Sequence, residues 1–322
     1  MHLDPAVVTR LSAGRAGAVA RATLVAAGAD DAWIRRQVAA GRWQRLHQGV
    51  LVAYSGPLTW RTRAWGAVLY AGPGAALSHA AAAYRHGFAT GAPRVIDVTV
   101  PDSRRVLPSP GLHVHVRRGG PVAGGRPPTV SRGDAVVDLV AATTCVDDAV
   151  GWVCAAVRAG TRPVEITRAL ARRRTVRHAA LLRELVAEVA AGIESPLERR
   201  YHRDVEGRHG LPRARLQVRE VVGGLWIRAD AWYEGFGVRV ELDGNLGHPG
   251  GRTDSDTWRD NVVLLTRREL TLRYRWRHAA IASCATAGQV ATALRLGGWT
   301  GTLRPCGPGC SADAGRGGRP AA

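Results

Sequence analysis

Three acidic residues mark the ends of two predicted neighbouring strands in the C-terminal third of the chain. Asp230 lies near the end of an alternating run over 225–232, and Glu241 and Asp243 end the next run, over 238–243. A period of two residues places Glu241 and Asp243 on the same face of their strand. Because clustered carboxylates repel one another, we expect a hard cation, Mg²⁺ or Mn²⁺, bound by Asp230, Glu241 and Asp243. Such an ion activates water and neutralises charge on a phosphoryl group.

A histidine follows these acids within a glycine-rich segment. His248 lies five residues after Asp243, in the segment 247–251. It is a candidate general base, or the residue that holds the attacking water. The segment has no strand and helix around it of the kind that a phosphate loop needs, so we expect a mobile loop beside the site. The alternative for the three carboxylates is an exposed, solvated strand face.

Local patterns predict the elements that position these acids. Ser195, Pro196 and Glu198 form a capping box, which predicts a helix over about 196–209. Alternation and paired glycines then predict three strands joined by tight turns. The predicted strands are 215–222, 225–232 and 238–243. A helix, a strand at 272–274 and a final helix to about 296 complete the region.

This order of elements resembles the PD-(D/E)XK restriction-endonuclease superfamily, and more closely its very-short-patch-repair-like branch, which is often described only as a domain of unknown function. The resemblance covers residues 191–300. The residues that carry it are Ser195, Glu198, Asp230, Glu241, Asp243, Gly244, His248, Asp256, Arg259, Asp260, Asn261, Leu272, Arg273, Tyr274, Gly298 and Trp299.

The resemblance implies a catalytic role for six of these residues. Asp230 and Glu241, helped by Asp243, would bind the metal, and Glu198 would be a supporting carboxylate. His248 would be the acid/base group, and Asp256 or Asp260 would orient it or the substrate. The catalytic candidates are therefore Asp230, Glu241, Asp243, His248, Glu198 and Asp260. The alternatives are a capping role for Glu198 and a solvated helix face for Asp256.

The chain departs from the superfamily's pattern at one position. The superfamily has a lysine where this chain has Asp243, and the chain contains no lysine. The repair-like branch manages without that lysine, which gives His248 more weight.

A helix–turn–helix–hairpin pattern lies near the N-terminus. We predict a helix over 17–27, a second helix that starts near Asp30 or Asp31 and ends at Gly41, and two extended runs that pivot near Gly49. This is a winged-helix pattern, in which the second helix enters a DNA groove. The candidate DNA-binding residues are Arg35, Arg36, Arg42 and Arg45. The alternative is a small helical cap that binds nothing.

The same stretch resembles the N-terminal domain of the abortive-infection AbiEi family of antitoxins. The carrying residues are Ile34, Gly41, Arg42, Trp43, Leu46, Gly49 and Val50. The resemblance implies DNA binding, since such proteins repress toxin–antitoxin operons. A toxin partner is expected only if the gene lies in such an operon.

The charge favours a polyanionic partner. The net charge is +19, and all 45 basic residues are arginine, against 26 acidic residues. Neutralised phosphates release counterions, and arginine binds phosphate and guanine edges bidentately. Codon bias in a GC-rich genome would explain arginine in place of lysine, but not the surplus over acids. We therefore expect DNA as the partner.

Cysteine and histidine residues suggest a second kind of metal site. Cys306 and Cys310 form a C-x₃-C knuckle, and Cys284 lies upstream. With a histidine such as His278, they would supply the four ligands of a structural zinc ion. The alternatives are a disulfide or free thiols. His113 and His115 alternate on a predicted strand, which suits metal ligands or a solvated edge.

Together these patterns predict a mixed α+β (α/β) protein. We expect a winged-helix domain at 1–56, a mixed sheet and helix module at 57–190, an endonuclease-like αβββαβα core at 191–300, and a mostly disordered, cysteine-containing tail at 301–322. No signal peptide or apolar run of about 20 residues is present, so we expect a cytoplasmic protein without a membrane partner.

The predicted function is metal-dependent DNA endonuclease activity guided by the winged helix. The alternative is an AbiEi-like transcriptional repressor or antitoxin whose nuclease fold is inactive.

Overall fold

The structure, a computed structural model, describes residues 2–190, 196–242 and 254–312. The chain divides into two compact units, each assembled from two stretches of sequence. The first unit consists of Met1–Ala142 and Ala155–Ala179, and the second of Thr143–Cys154 and Ala180–Ala322. Helices and three sheets occur together, so the predicted α+β class is confirmed. No described helix is long and apolar enough to cross a membrane.

The first unit begins with three helices and a small antiparallel sheet. Its elements are α1 (Pro5–Ser12), β1 (Ala18–Ala20), α2 (Arg21–Ala26), α3 (Asp31–Ala39), β2 (Gln44–His47) and β3 (Val50–Val52). The sheet order is β1-β3-β2. Of the two candidates Asp30 and Asp31, Asp30 caps α3 by accepting a hydrogen bond from the Trp33 amide at 2.6 Å. Leu24, Trp33 and Leu51 pack together in the hydrophobic core of this region.

One prediction for this region is wrong. Residues 17–27 do not form a single helix, because Ala18–Ala20 form a strand and only Arg21–Ala26 are helical. Ala18 pairs with Val52 and Ala20 with Val50. The hydrogen bonds to β3 therefore override the helical propensity of these small residues.

The rest of the first unit is built on a five-stranded mixed sheet. Its elements are α4 (Trp60–Ala71), β4 (Ala76–Leu77), α5 (His79–Arg85), β5 (Ile96–Pro101), β6 (Leu112–Arg117), β7 (Ala123–Gly124), β8 (Thr129–Val130), α6 (Arg132–Ala142), α7 (Val146–Arg158), which runs from one unit into the other, and α8 (Pro163–Ala171). The strand order is β6-β5-β4-β8-β7. Leu77, Ile96 and Val98 pack against alanines of α4 in its core.

Close packing of α6 against α8 depends on Gly133. A Cβ atom at this position would lie 2.2 Å from the Glu165 carbonyl oxygen. Gly133→Ala is therefore expected to lower the free energy of unfolding by about 1–3 kcal/mol, because the two backbones must move apart. Urea denaturation measures this change.

Gly91→Ala is the matched control, because a Cβ atom there meets nothing within 4 Å. Helix propensity alone would favour alanine at position 133 by up to about 1 kcal/mol. A Gly133→Ala protein as stable as the control would show that the contact is unimportant.

The second unit contains a four-stranded sheet and several helices. Its elements are α9 (Ala179–Ala190), α10 (Pro196–Arg200) with a π-helical continuation (Tyr201–Gly207), β9 (Arg215–Val222), β10 (Leu225–Tyr233), β11 (Val238–Leu242), α11 (Asp254–Arg267), β12 (Leu270–Tyr274) and α12 (Ser283–Leu296). The order is β12-β11-β10-β9. Strands β9, β10 and β11 are antiparallel, and β12 is parallel to β11.

The strands and turns of this sheet lie where the sequence predicts them. Gly223 and Gly224 join β9 to β10 with φ values of 56° and 82°, as a two-residue hairpin turn of mirror-image type requires. A single 3₁₀ turn, Glu234–Phe236, joins β10 to β11. The element order from α10 to α12 is therefore αβββαβα.

Candidate functional site

Asp230 and Glu241 lie on the two central strands of the second unit's sheet. The register pairs Ala231 with Val240, so one step further along these antiparallel strands Asp230 lies opposite Glu241. Asp230 Oδ2 accepts a hydrogen bond from the Leu242 amide at 2.8 Å. Both carboxylates are half-buried. The hairpin therefore brings two predicted metal ligands to neighbouring positions where β11 ends.

Gln217 on β9 also supports Asp230. Its side-chain Nε2 donates to Asp230 Oδ1 at 3.4 Å, and its Oε1 accepts from Arg228 Nε. Asp230 is thus oriented by a backbone amide from one neighbouring strand and by a side chain from the other.

A buried series of hydrogen bonds fixes the π-helical continuation of α10 against β10. Tyr201 and Tyr233 share a hydrogen bond of 2.9 Å, and the Tyr233 hydroxyl donates to Glu206 Oε1 at 2.6 Å. Burial raises the pKa of both tyrosines, which therefore stay neutral donors. Glu206 Oε1 also accepts from the Ala214 amide at 3.2 Å. These hydrogen bonds hold the helix that carries Glu198 against the strand that carries Asp230.

The remaining predicted catalytic residues are placed less closely together. Glu198 is half-buried on α10. Among the described residues, Glu198, Asp230 and Glu241 do not form a group whose carboxylate oxygens all lie within 4.8 Å of one another. Asp243 and His248 lie outside the described residues. Ser195, the predicted cap of the helix, also lies outside them.

Asp260 on α11 forms an ion pair with Arg273 on β12. Its two carboxylate oxygens accept from Arg273 Nε at 3.1 Å and Nη2 at 2.7 Å. Arg273 pairs in register with Glu241 on the adjacent parallel strand. Asp260 therefore orients a guanidinium at the position beside Glu241, which local sequence patterns did not predict. For Asp256 the structure describes only the helical backbone.

Two of the four predicted DNA-binding arginines, Arg35 and Arg45, line a groove in the first unit. Arg35 and Arg36 on α3, Arg42 before β2 and Arg45 on β2 are all exposed. The groove between α3 and the β2–β3 hairpin has a volume of about 440 Å³, and its lining includes Arg21, Arg35 and Arg45. This region therefore presents several arginines around one concave surface.

A histidine–aspartate cluster lies on the sheet of the first unit. His115 Nε2 lies 2.9 Å and His113 Nδ1 3.3 Å from Asp97 Oδ1. The ring of His79 stacks on that of His115 with centroids 3.6 Å apart. Burial lowers the pKa of His79 to about 4. His79 joins this cluster from a different element, and strand alternation alone could not predict that.

The predicted cysteines come together, but their histidine neighbour is not the expected one. Ligand atoms of Cys284, Cys306, Cys310 and His209 all lie within 4.8 Å of one another. His278 is not part of this group, and its Nδ1 accepts a hydrogen bond from the Arg275 amide at 2.9 Å. The prediction of His278 as fourth member is therefore wrong. His209 follows the buried residues Leu197, Tyr201 and Val205 at helical spacing. This periodic pattern is the feature of the sequence that could have indicated a buried histidine.

Two of the comparisons with known proteins found no match. No family model matches this chain, and no curated protein matches it. Among solved structures, it is similar to the Rv2827c protein from Mycobacterium tuberculosis, with 21% sequence identity and a TM-score of 0.40. That match covers 58% of this chain and 78% of the other.

Proposed function

We propose that the second unit hydrolyses phosphodiester bonds in DNA with Mg²⁺ or Mn²⁺, and that the first unit binds DNA. The observation that carries this proposal is the placement of Asp230 opposite Glu241 on the central strands of an αβββαβα unit. Two carboxylates at adjacent strand positions, in a chain with a net charge of +19, are hard to explain as a means of solubility.

The donor set suits a hard cation. Asp230 and Glu241 offer carboxylate oxygens, which Mg²⁺ and Mn²⁺ prefer. Each oxygen has more than one lone pair, so Asp230 Oδ2 can accept from Leu242 and still bind a cation. When bound, the ion would activate water and stabilise charge on the phosphoryl group. Gln217 would keep Asp230 oriented, and Arg273 would add positive charge beside Glu241.

The exposed arginines around the groove support DNA binding by the first unit. A helix followed by a two-stranded ribbon is the arrangement by which winged-helix proteins contact DNA. Arg35 and Arg45 line the groove from the helix and the ribbon. Contacts to phosphate make such binding strongly dependent on salt.

The test is cleavage of supercoiled plasmid and of short mismatched duplexes by the full chain. We expect cleavage that requires Mg²⁺ or Mn²⁺, and a loss of more than about 100-fold in Asp230→Asn and in Glu241→Gln. Changes in outer-shell partners of metal sites already cost about 10- to 100-fold, and a ligand should cost at least as much.

Glu234→Gln is the matched control, because Glu234 is an exposed acid just after β10 that pairs with Arg215. It should cleave at the wild-type rate. Cleavage that survives in Asp230→Asn and Glu241→Gln would contradict the proposal. Salt-dependent DNA binding without cleavage on any substrate would favour a repressor whose nuclease fold is inactive.

A further inference from the structure

Four potential metal ligands converge from three separate stretches of the second unit. His209 lies at the end of the helix that begins with α10, Cys284 lies in the first turn of α12, and Cys306 and Cys310 lie in the following C-terminal loop. One ligand atom from each lies within 4.8 Å of the other three. The chain folds so that residues far apart in sequence meet at one point.

The spacing of the sulfur atoms suits one ion. Cys284 Sγ lies 3.4 Å from Cys306 Sγ and 3.8 Å from Cys310 Sγ. A disulfide would require about 2.05 Å, and all five cysteines are free. Thiolates bound at about 2.3 Å around a tetrahedral zinc ion lie about 3.8 Å apart. The observed distances therefore match the edges of such a tetrahedron.

His209 presents a buried nitrogen that is available to a metal ion. His209 is fully buried, and its Nδ1 lies 3.1 Å from the Val205 carbonyl oxygen. A carbonyl only accepts, so Nδ1 carries the proton and Nε2 keeps its lone pair. Nε2 is buried and has no hydrogen-bond partner in the described part of the chain. Metal-bound histidines typically use this arrangement, with the second nitrogen donating to a carbonyl.

We propose that His209 Nε2 and the thiolates of Cys284, Cys306 and Cys310 bind one Zn²⁺ ion. Three sulfur ligands and one imidazole select a soft or borderline ion over Mg²⁺ or Ca²⁺. Four protein ligands complete the tetrahedron and leave no open position, so the ion is structural. The site is separate from Asp230 and Glu241, and the proposal does not depend on nuclease activity.

The ion would attach the C-terminal loop to the core of the unit. The Arg304 amide already donates to the His209 carbonyl oxygen at 2.8 Å. A Cβ atom at Gly288 on α12 would lie 3.0 Å from the Ala312 carbonyl oxygen, which shows how closely the loop packs. Because the ligands come from distant stretches, binding of the ion favours the folded state.

The experiment measures zinc in the full chain, expressed without a polyhistidine tag and purified under reducing conditions. We expect about one zinc ion per chain by elemental analysis, as a single closed site requires. Cys306→Ser and His209→Asn should lose it. Cys145→Ser and His278→Asn should retain it. Cys145 and Cys306 are both exposed, so the two serine variants are matched.

Cobalt substitution of the wild-type chain provides a second measurement if a variant fails to fold. The Co²⁺ protein should show thiolate-to-metal charge transfer and the intense visible bands of a tetrahedral site. Absence of zinc and of these bands, or a disulfide between Cys284 and Cys306 in the purified protein, would overturn the proposal. So would zinc retained in both Cys306→Ser and His209→Asn.

Discussion

Asp134→Ala is expected to lower the free energy of unfolding of the first unit by about 3–5 kcal/mol. Asp134 is 2% exposed and accepts from Arg172 Nη2 at 2.7 Å and Arg173 Nη2 at 3.1 Å. Ser131 Oγ donates to it at 2.6 Å. Arg117 also belongs to this network, whose second buried acid is Asp138. Removal of Asp134 therefore leaves three guanidinium groups with one carboxylate.

The measurement is urea denaturation, with amide hydrogen exchange of α6 to assign the loss to this unit. Asp31→Ala is the control, because Asp31 pairs with Arg21 at the surface. An exposed pair of this kind contributes little to stability, because water and salt screen its charges. Equal losses in the two variants would contradict the role assigned to the buried network.

The effect of Asp134 should depend on pH. Burial alone raises the pKa of Asp134, but the hydrogen bond from Ser131 and the charges of Arg172 and Arg173 hold it below its ordinary value. A carboxyl whose pKa is lower in the folded state stabilises the protein above its unfolded pKa of about 3.9. This contribution is lost as the pH falls through the folded pKa. The difference between wild type and Asp134→Ala should therefore shrink below about pH 4.

Arg239→Met is expected to destabilise the second unit by about 3–5 kcal/mol. Arg239 is 1% exposed and forms ion pairs with Glu220 on β9 and with Glu269 just before β12. Its guanidinium carbon lies 4.8 Å from the centre of the Trp232 ring. Methionine fills a similar volume but leaves two carboxylates without their counter-charge. Because Glu269 precedes β12, the variant should also loosen the register that places Arg273 beside Glu241.

Arg215→Met is a closely matched control for Arg239→Met. The guanidinium carbon of Arg215 lies 5.7 Å from the centre of the same Trp232 ring. Arg215 pairs with Glu234, but the side chains of both residues are more than half exposed. Its loss should cost about 0–1 kcal/mol. Urea denaturation, followed by tryptophan fluorescence, compares the two. A double variant, Arg239→Met with Glu269→Gln, should recover part of the loss, and full additivity would contradict the ion-pair explanation.

Much of the second unit follows from local patterns. Strands β9 to β12 alternate with a period of two residues, and Gly223 and Gly224 suit only a tight turn. The short connection between β10 and β11 likewise fixes which residues of those two strands face each other, so the neighbouring positions of Asp230 and Glu241 were predictable. Propensity, turn geometry and periodicity act within a few residues, and a single sequence therefore reports them directly.

Contacts between distant residues could not be derived in this way. Ala18–Ala20 become a strand because Val50–Val52 lie beside them. Asp260 meets Arg273 through the packing of α11 on β12.

His209 shows the same limit at the proposed zinc site. The cysteine spacing predicted the three thiolates, and folding of the chain placed His209, rather than the sequence neighbour His278, beside them. Residue type and spacing therefore determined which chemical groups were present and which elements carry them. Packing of helices and loops, which depends on shape and burial summed over the whole unit, decided which of those groups meet.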